Sequence, residues 1–398
     1  MTDMAAIREM PSLDGRTLNM RKSNEDDSTK SPPKDSLSLN SPPPPGAFPG
    51  LDNGPPSGRR PSHKSSMTLI QPRTWMGLQP QAPLQEEHDE SEHNHLWWSK
   101  VKIALKEPFA EMWGTFILVL FGCGGIAQVS LGKNFPNSSP DGIGYGDWQS
   151  INWCFGLGLM LGVYVAGDSG AYLNPAVTFA SCVLRKLPWR RMPLYILGQL
   201  LGGFLAAGVI YANYINSINA VEGHNVRTVP PATNATAGIF ATYPADDLTK
   251  ASQFFEQFIA SSLLMFLILA LQDDSNKGSF IASGSWFPLC LFFVMFGIGA
   301  AFGWQTGFAI NLARDFGPRL WTYCVGYGTD VWSAGGYYFW IPMVAPFPGC
   351  LFGGILYDLF IYTGKSPINQ PWFGLGQLIN PRKAVQDRLK EQKAEGLV

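Results

Sequence analysis

Gly170-Ala171-Tyr172-Leu173-Asn174-Pro175-Ala176-Val177-Thr178 and Gly307-Phe308-Ala309-Ile310-Asn311-Leu312-Ala313-Arg314-Asp315 are two versions of one phrase. In each, an Asn follows an apolar stretch and opens a short run with helical character. Asn suits that place because its side-chain oxygen accepts a hydrogen bond from a free N–H of the first helical turn. Pro175 suits the first turn as well, since the N–H it lacks would be unpaired in any case. Two related polar insertions, one in each half of an apolar chain, predict an internal repeat whose halves meet at one site.

The surrounding composition says where that site lies. The chain has 398 residues and a formal net charge of −1, so bulk charge points to no nucleic-acid partner. Hydrophobic residues make up 46% and charged residues 15%, but unevenly. Residues 1–99 are rich in Ser, Pro and charge. They carry too little apolar surface to offset the entropy of ordering, which predicts a disordered tail. From about 107 to 364 the chain is apolar, with runs that reach the roughly 20 residues a spanning helix needs. This part is expected in a lipid bilayer. The opening residues at Met1 are polar and read as no cleavable signal peptide. Cys123, Cys154, Cys182, Cys290, Cys324 and Cys350 lack metal-type spacing and read as small packing residues, so neither a metal nor a cofactor is expected.

Six full spans are predicted, at 109–131, 151–166, 192–215, 254–271, 287–302 and 338–362. Two shorter apolar stretches start at Asn174 and Asn311 and end near Leu184 and Tyr323. At about 1.5 Å per residue each is half a membrane deep. Such a segment is re-entrant, and its irregular backbone is tolerable only inside protein or beside water. Each half has a span with an early Glu (Glu111, Glu256), a second span, an Asn-led half-helix and a third span. Three spans reverse the topology, so the second half is inverted and both half-helices reach the midplane from opposite sides. The expected fold is therefore an all-α membrane protein of six transmembrane helices plus two re-entrant half-helices. Its halves, 105–215 and 253–362, form a domain over 100–364 with a polar connecting loop at 216–252 and a C-terminal tail at 365–398.

Basic residues set the orientation. Arg185, Lys186, Arg190 and Arg191 follow the first half-helix, Lys100, Lys102 and Lys106 precede the first span, and Arg382 and Lys383 follow the sixth. All fall on one side of a six-span chain, which predicts cytoplasmic termini and a multi-pass, plasma-membrane location. The sequons at Asn137 and Asn234 fall in loops on the other side. Trp97 and Trp98 read as an interfacial anchor. Ser62, Ser65 and Ser66 lie beside Arg and Lys in the tail and are candidate phosphorylation sites.

The paired asparagines carry the chemistry. With its oxygen occupied as a cap, each amide NH₂ is left as a donor toward the cavity. Two such donors, backed by two positive helix ends, bind an oxygen lone pair and repel cations. A water held there points its hydrogens away from the centre, which discourages a proton wire. Arg314 sits three residues into the second half-helix in an apolar setting. A charge inside a membrane segment is costly and marks a water path. Near the outer mouth, Arg donates to hydroxyls and raises a barrier to cations. The spans show no nucleophile–base or metal constellation, and all five histidines lie outside them, so an enzyme is not expected.

These residues resemble a major intrinsic protein of the aquaporin family. Leu173-Asn174-Pro175-Ala176-Val177-Thr178 matches the first family box, and Asn311-Leu312-Ala313-Arg314-Asp315 the second, except at Leu312, where proline is usual. The resemblance covers roughly 105–364. It implies the aquaporin fold and a homotetramer with one pore per subunit. It also maps a selectivity filter onto Phe155, Gly299, Phe308 and Arg314. Phe155 is preferred over Cys154 because Phe155-Gly156-Leu157-Gly158 fits the family pattern. Gly299 stands where water-specific members carry His, and Phe308 where they carry a small residue or Cys. Asp315 and Asp273-Asp274 are markers of the glycerol-conducting branch. Glu111 and Glu256 resemble the buried glutamates that brace the half-helix loops, and Tyr172 replaces a frequent His at the cytoplasmic mouth. The long N-terminal extension resembles that of some fungal glycerol channels. The resemblance thus implies an aquaglyceroporin: a passive channel for glycerol and small polyols with some water permeability. Two alternatives stay open, a mainly water-conducting channel and a secondary polyol transporter, since inverted repeats with broken helices also build transporters.

Overall fold

The computed structural model describes residues 96–134, 144–273, 275, 276, 278 and 286–371, with 385–387, 389, 390 and 393 beyond them. All belong to the compact unit 62–398. The tail up to residue 95, the sequon at Asn137, Asp274, Arg382 and Lys383 lie outside the described residues.

Among the described residues of 96–371, eleven α-helices follow in order: α1 Trp97–Ala104, α2 Lys106–Asn134, α3 Trp148–Val165, α4 Pro175–Leu184, α5 Met192–Glu222, α6 Lys250–Gln272, α7 Phe287–Phe302, α8 Leu312–Thr322, α9 Asp330–Tyr337, α10 Trp340–Val344 and α11 Pro346–Phe360. The described residues contain no strand, in agreement with the all-α reading. Among the described residues, three helices are by themselves long and apolar enough to cross a membrane: Lys106–Lys133, Met192–Glu222 and Lys250–Gln272. At about 1.5 Å per residue, the 10 residues of α4 and the 11 of α8 reach only halfway.

Three boundaries differ from the expected ones, each for a local reason. The tail was expected to end at 99, but α1 crosses that point, buries Ser99 and sets the Trp98 ring 6.1 Å from Phe109. The third span runs on to Glu222 because 216–222 continues as a polar helix until Gly223 takes φ 103°, a backbone open mainly to glycine. The sixth span is split into α10 and α11. Ala345 between them keeps helical angles, but Pro346 has no N–H to offer the ladder. Ahead of it, a wide turn at Tyr323–Tyr327 and the irregular α9 connect α8 to the sixth span. Apolar periodicity carries no signal for such a connection.

Helix contacts follow the repeat. In the first half α2 packs along α5 and α3, and in the second α6 packs along α11 and α7. Gly202 on α5 rests against the Met112 carbonyl, and Gly353 on α11 against the Ser262 carbonyl. A Cβ at either place would collide with backbone. Small residues that let backbones touch are how helices associate where lipid removes the hydrophobic drive. The half-helices cross over: α8 leans on α5, the last span of the first half, and α4 leans on α11, the last span of the second. Just beyond α4, Arg185 grips Asp358 on α11 through two hydrogen bonds of 2.9 and 2.6 Å.

Candidate functional site

Asn174 caps α4, its Oδ1 accepting from the Ala176 N–H at 2.9 Å. Asn311 caps α8, its Oδ1 accepting from Ala313 at 2.8 Å and Arg314 at 3.2 Å. Their amide nitrogens then reach across the repeat. Asn174 Nδ2 donates to the Ile310 carbonyl and Asn311 Nδ2 to the Leu173 carbonyl, both at 2.8 Å. An amide NH₂ has two hydrogens, so each Asn gives one to the facing loop and keeps one. The donor set offered to a permeant is therefore half of what the capping argument alone suggests. Ala176 and Ala313 are fully buried behind the caps. Both asparagines line a cavity of about 40 Å³ with Tyr172, Ser181, Gln272 and Leu291. At about 10–15 Å³ per water, that is room for a short file of molecules.

The loops leading to the two caps share an unusual backbone. Ala171 and Leu173, third and first before Asn174, have φ 52° and 53°. Phe308 and Ile310, third and first before Asn311, have φ 34° and 39°. Non-glycine residues in this region cost about 1–3 kcal/mol each and persist only where the surroundings hold them. In the first half Glu111 does the holding. One carboxylate oxygen takes Ser169 Oγ at 2.6 Å and the Tyr172 N–H at 2.9 Å. The other takes the Leu173 N–H at 2.8 Å and Gln199 Nε2 at 2.7 Å.

In the second half the equivalent brace is Gln257, not Glu256 as expected. Gln257 Oε1 accepts from the Ile310 N–H at 2.8 Å, and its Nε2 donates to Thr306 Oγ1 at 2.8 Å and Tyr338 OH at 3.2 Å. Glu256 is one residue off this face. Its carboxylate neighbours the Thr306 side chain and the Gln305 backbone, but closes a hydrogen bond of good geometry with neither among the described residues. Spacing marks the true partner. Glu111 is followed four residues later by buried Thr115, and Gln257 four residues later by buried Ser261. Tyr172 stands beside the Glu111 brace, its ring 6.0 Å from Tyr195.

On the other side of the asparagines, the four mapped filter residues come together. The Phe155 and Phe308 rings meet edge to face, centroids 5.1 Å apart and planes at 72°. The Arg314 guanidinium lies 4.8 Å over the Phe155 ring, and its Nη1 donates to the Phe240 carbonyl at 3.0 Å. A Cβ added to Gly299 would come within 2.9 Å of Phe308 Cζ, so Phe308 fills space a side chain would otherwise take. Cys154, the competing position, turns its sulfur toward Gly125 on α2 instead. Leu312 begins α8 as Pro175 begins α4, and the helix start is intact.

Asp315 does not face the lumen. It is fully buried, accepts from the Thr242 N–H at 2.8 Å, and takes Arg319 Nε at 2.9 Å. Arg319 in turn donates to the Val331 carbonyl at 2.8 Å and the Thr242 carbonyl at 2.5 Å. This buried pair pins the connecting loop at 240–242, which brings the Phe240 carbonyl to Arg314. The loop's contact with Arg314 is a backbone carbonyl, which no side-chain pattern announces.

Known proteins resemble this chain over its apolar part. Residues 98–357 match the family described as "Major intrinsic protein". The chain is 59% identical over 285 residues to "Aquaglyceroporin-9" of Botryotinia fuckeliana, covering 71% of this chain but 60% of that relative's length. It is 55% identical over 289 residues to "Probable aquaglyceroporin-2" of Gibberella zeae, covering 72% of this chain and 82% of that one. Among solved structures, the aquaglyceroporin from Plasmodium falciparum superposes with a TM-score of 0.54 at 28% identity, over 65% of this chain and 96% of that one. The matched residues 98–357 include both Asn-capped half-helices, locked to each other's loops, and Arg314 with its aromatic neighbours: the chain belongs to the major intrinsic protein family.

Proposed function

We propose that the chain is a passive transmembrane channel for glycerol and other small neutral polyols, with some passage of water. The constriction carries this reading. The Phe155–Phe308 edge pair forms an apolar corner, and Arg314 with the Phe240 carbonyl forms a polar one. Glycerol has a carbon face and a hydroxyl face, and the slot offers a surface to each. The relatives' names, aquaglyceroporins at 55% and 59% identity, point the same way. The remaining amide hydrogens of Asn174 and Asn311, set at two helix N-termini, orient oxygen lone pairs and oppose cation passage.

A coupled transporter needs a free titrating group. Glu111 is not one: three donors on the first loop and Gln199 on α5 hold its carboxylate as a brace, which supports the channel reading at this position. We also propose a homotetramer in the plasma membrane with cytoplasmic termini. Stopped-flow light scattering on proteoliposomes tests the transport reading. Glycerol-driven reswelling well above empty vesicles is expected, and reswelling equal to that of empty vesicles overturns it.

A further inference from the structure

Asn152 on α3 is wholly buried, yet neither its Oδ1 nor its Nδ2 has a hydrogen-bond partner among the described residues. Leaving both ends of a buried amide unpaired is costly, and buried polar groups in native proteins are nearly always satisfied. The position explains the exception. Asn152 lies one turn before Phe155 on the same helix, and its Oδ1 falls 2.5 Å from where a Cβ on Gly299 would stand. Phe308 Cζ lies 2.9 Å from that same point. One turn earlier on α3, Trp148 Nε1 donates to the carbonyl of Gly299 itself at 3.1 Å and so fixes α3 against α7 at this level. The absent side chain of Gly299 therefore does not simply leave room. An amide from the neighbouring helix, held in register by Trp148, occupies the place.

We propose that Asn152 is a further specificity-determining residue of the constriction, its amide serving the hydroxyl groups of a passing polyol. This inference rests on the polyol-channel reading. It assigns to α3 both an apolar residue, Phe155, and a polar one, Asn152, on successive turns. A hydroxylated solute enters with hydrogen bonds available at Arg314 on one side and at Asn152 on the other, and its carbon face against the two rings.

The test compares water, glycerol and 1,2-propanediol in the same proteoliposomes. Asn152→Leu keeps the side-chain volume and removes the amide. It is expected to lower the glycerol-to-water permeability ratio about five-fold, the factor that one hydrogen bond of about 1 kcal/mol represents. The propanediol-to-water ratio, with one hydroxyl fewer to satisfy, falls less. Asn152→Ala removes the amide without adding bulk. It is expected to show the same order of losses if the leucine variant does not assemble. Thermal unfolding of the leucine variant in detergent is expected at or above the wild-type temperature, because an unpaired polar group has been removed. Equal changes for all three solutes, or none, in the variant that assembles overturn the assignment while wild-type glycerol flux stands. A wild type without glycerol flux overturns the channel reading and this assignment together.

Discussion

The two half-helix loops have one backbone and two chemistries. Both alternate positive φ at the third and first residues before the Asn, and both donate the Asn amide to the opposite loop. Behind the first loop stands a carboxylate holding four donors. Behind the second stands a neutral amide holding one backbone N–H and bridging to Thr306 and Tyr338. The first helix opens on Pro175, the second on Leu312. What the repeat preserves is the direction of the loop backbone. The group that enforces it varies, and a charge is one solution among others.

That comparison is broken most severely by emptying the stronger brace. Glu111→Ala leaves two backbone amides, Ser169 and Gln199 without their acceptor. With a cost of about 1–3 kcal/mol per unsatisfied group, it is expected to abolish recoverable folded channel, read as the loss of the monodisperse peak in size exclusion. Next comes the constriction itself. Gly299→His forces a ring into the place held by Asn152 and Phe308. It is expected to cut glycerol flux about ten-fold or more and water flux far less in stopped-flow assays. Equal losses would refute the role given to Gly299. Third, Gln257→Leu removes the weaker brace and is expected to lower the unfolding temperature by several degrees, a smaller loss than at Glu111, whereas Gln257→Glu retains an acceptor for Ile310 and most of the flux. Leu312→Pro would make the two helix starts alike. By restricting the unfolded chain it is expected to raise stability by at most about 1 kcal/mol, seen as a small upward shift in unfolding temperature. The smallest effect is expected at Glu256→Gln, with glycerol flux within about two-fold of wild type. A large loss there would restore Glu256 to the loop-bracing role.

Much of this was legible in the sequence. The two Asn phrases fixed both half-helices to within a residue or so, because a cap followed by an apolar run is a local signal. Phe155, Gly299, Phe308 and Arg314, which only the family resemblance singles out, lie together in the structure. Other features are less local. Glu256 carries the charge, but the face that meets the loop is set by the four-residue interval shared by Glu111–Thr115 and Gln257–Ser261. Asn152 stood in plain view as a polar residue in an apolar span, but only the neighbouring glycine gives it meaning. The Phe240 carbonyl and the buried Asp315–Arg319 pair depend on a connecting loop folding back, which no periodicity encodes.

The crossed packing of the half-helices also bears on how the chain is made. α4 ends at Leu184, but α11, against which it rests, begins at Pro346. Roughly 160 residues separate them, and at synthesis rates of about 5–20 residues per second that interval lasts on the order of ten seconds or more. During it the first pore loop has α5 beside it but lacks α11 and the Asn311 amide. The packing around the first half-helix is therefore completed only at the end of biosynthesis, when the last helix arrives. A ribosome that stops after α5 leaves three ordinary-looking spans and a loop with nothing to close it.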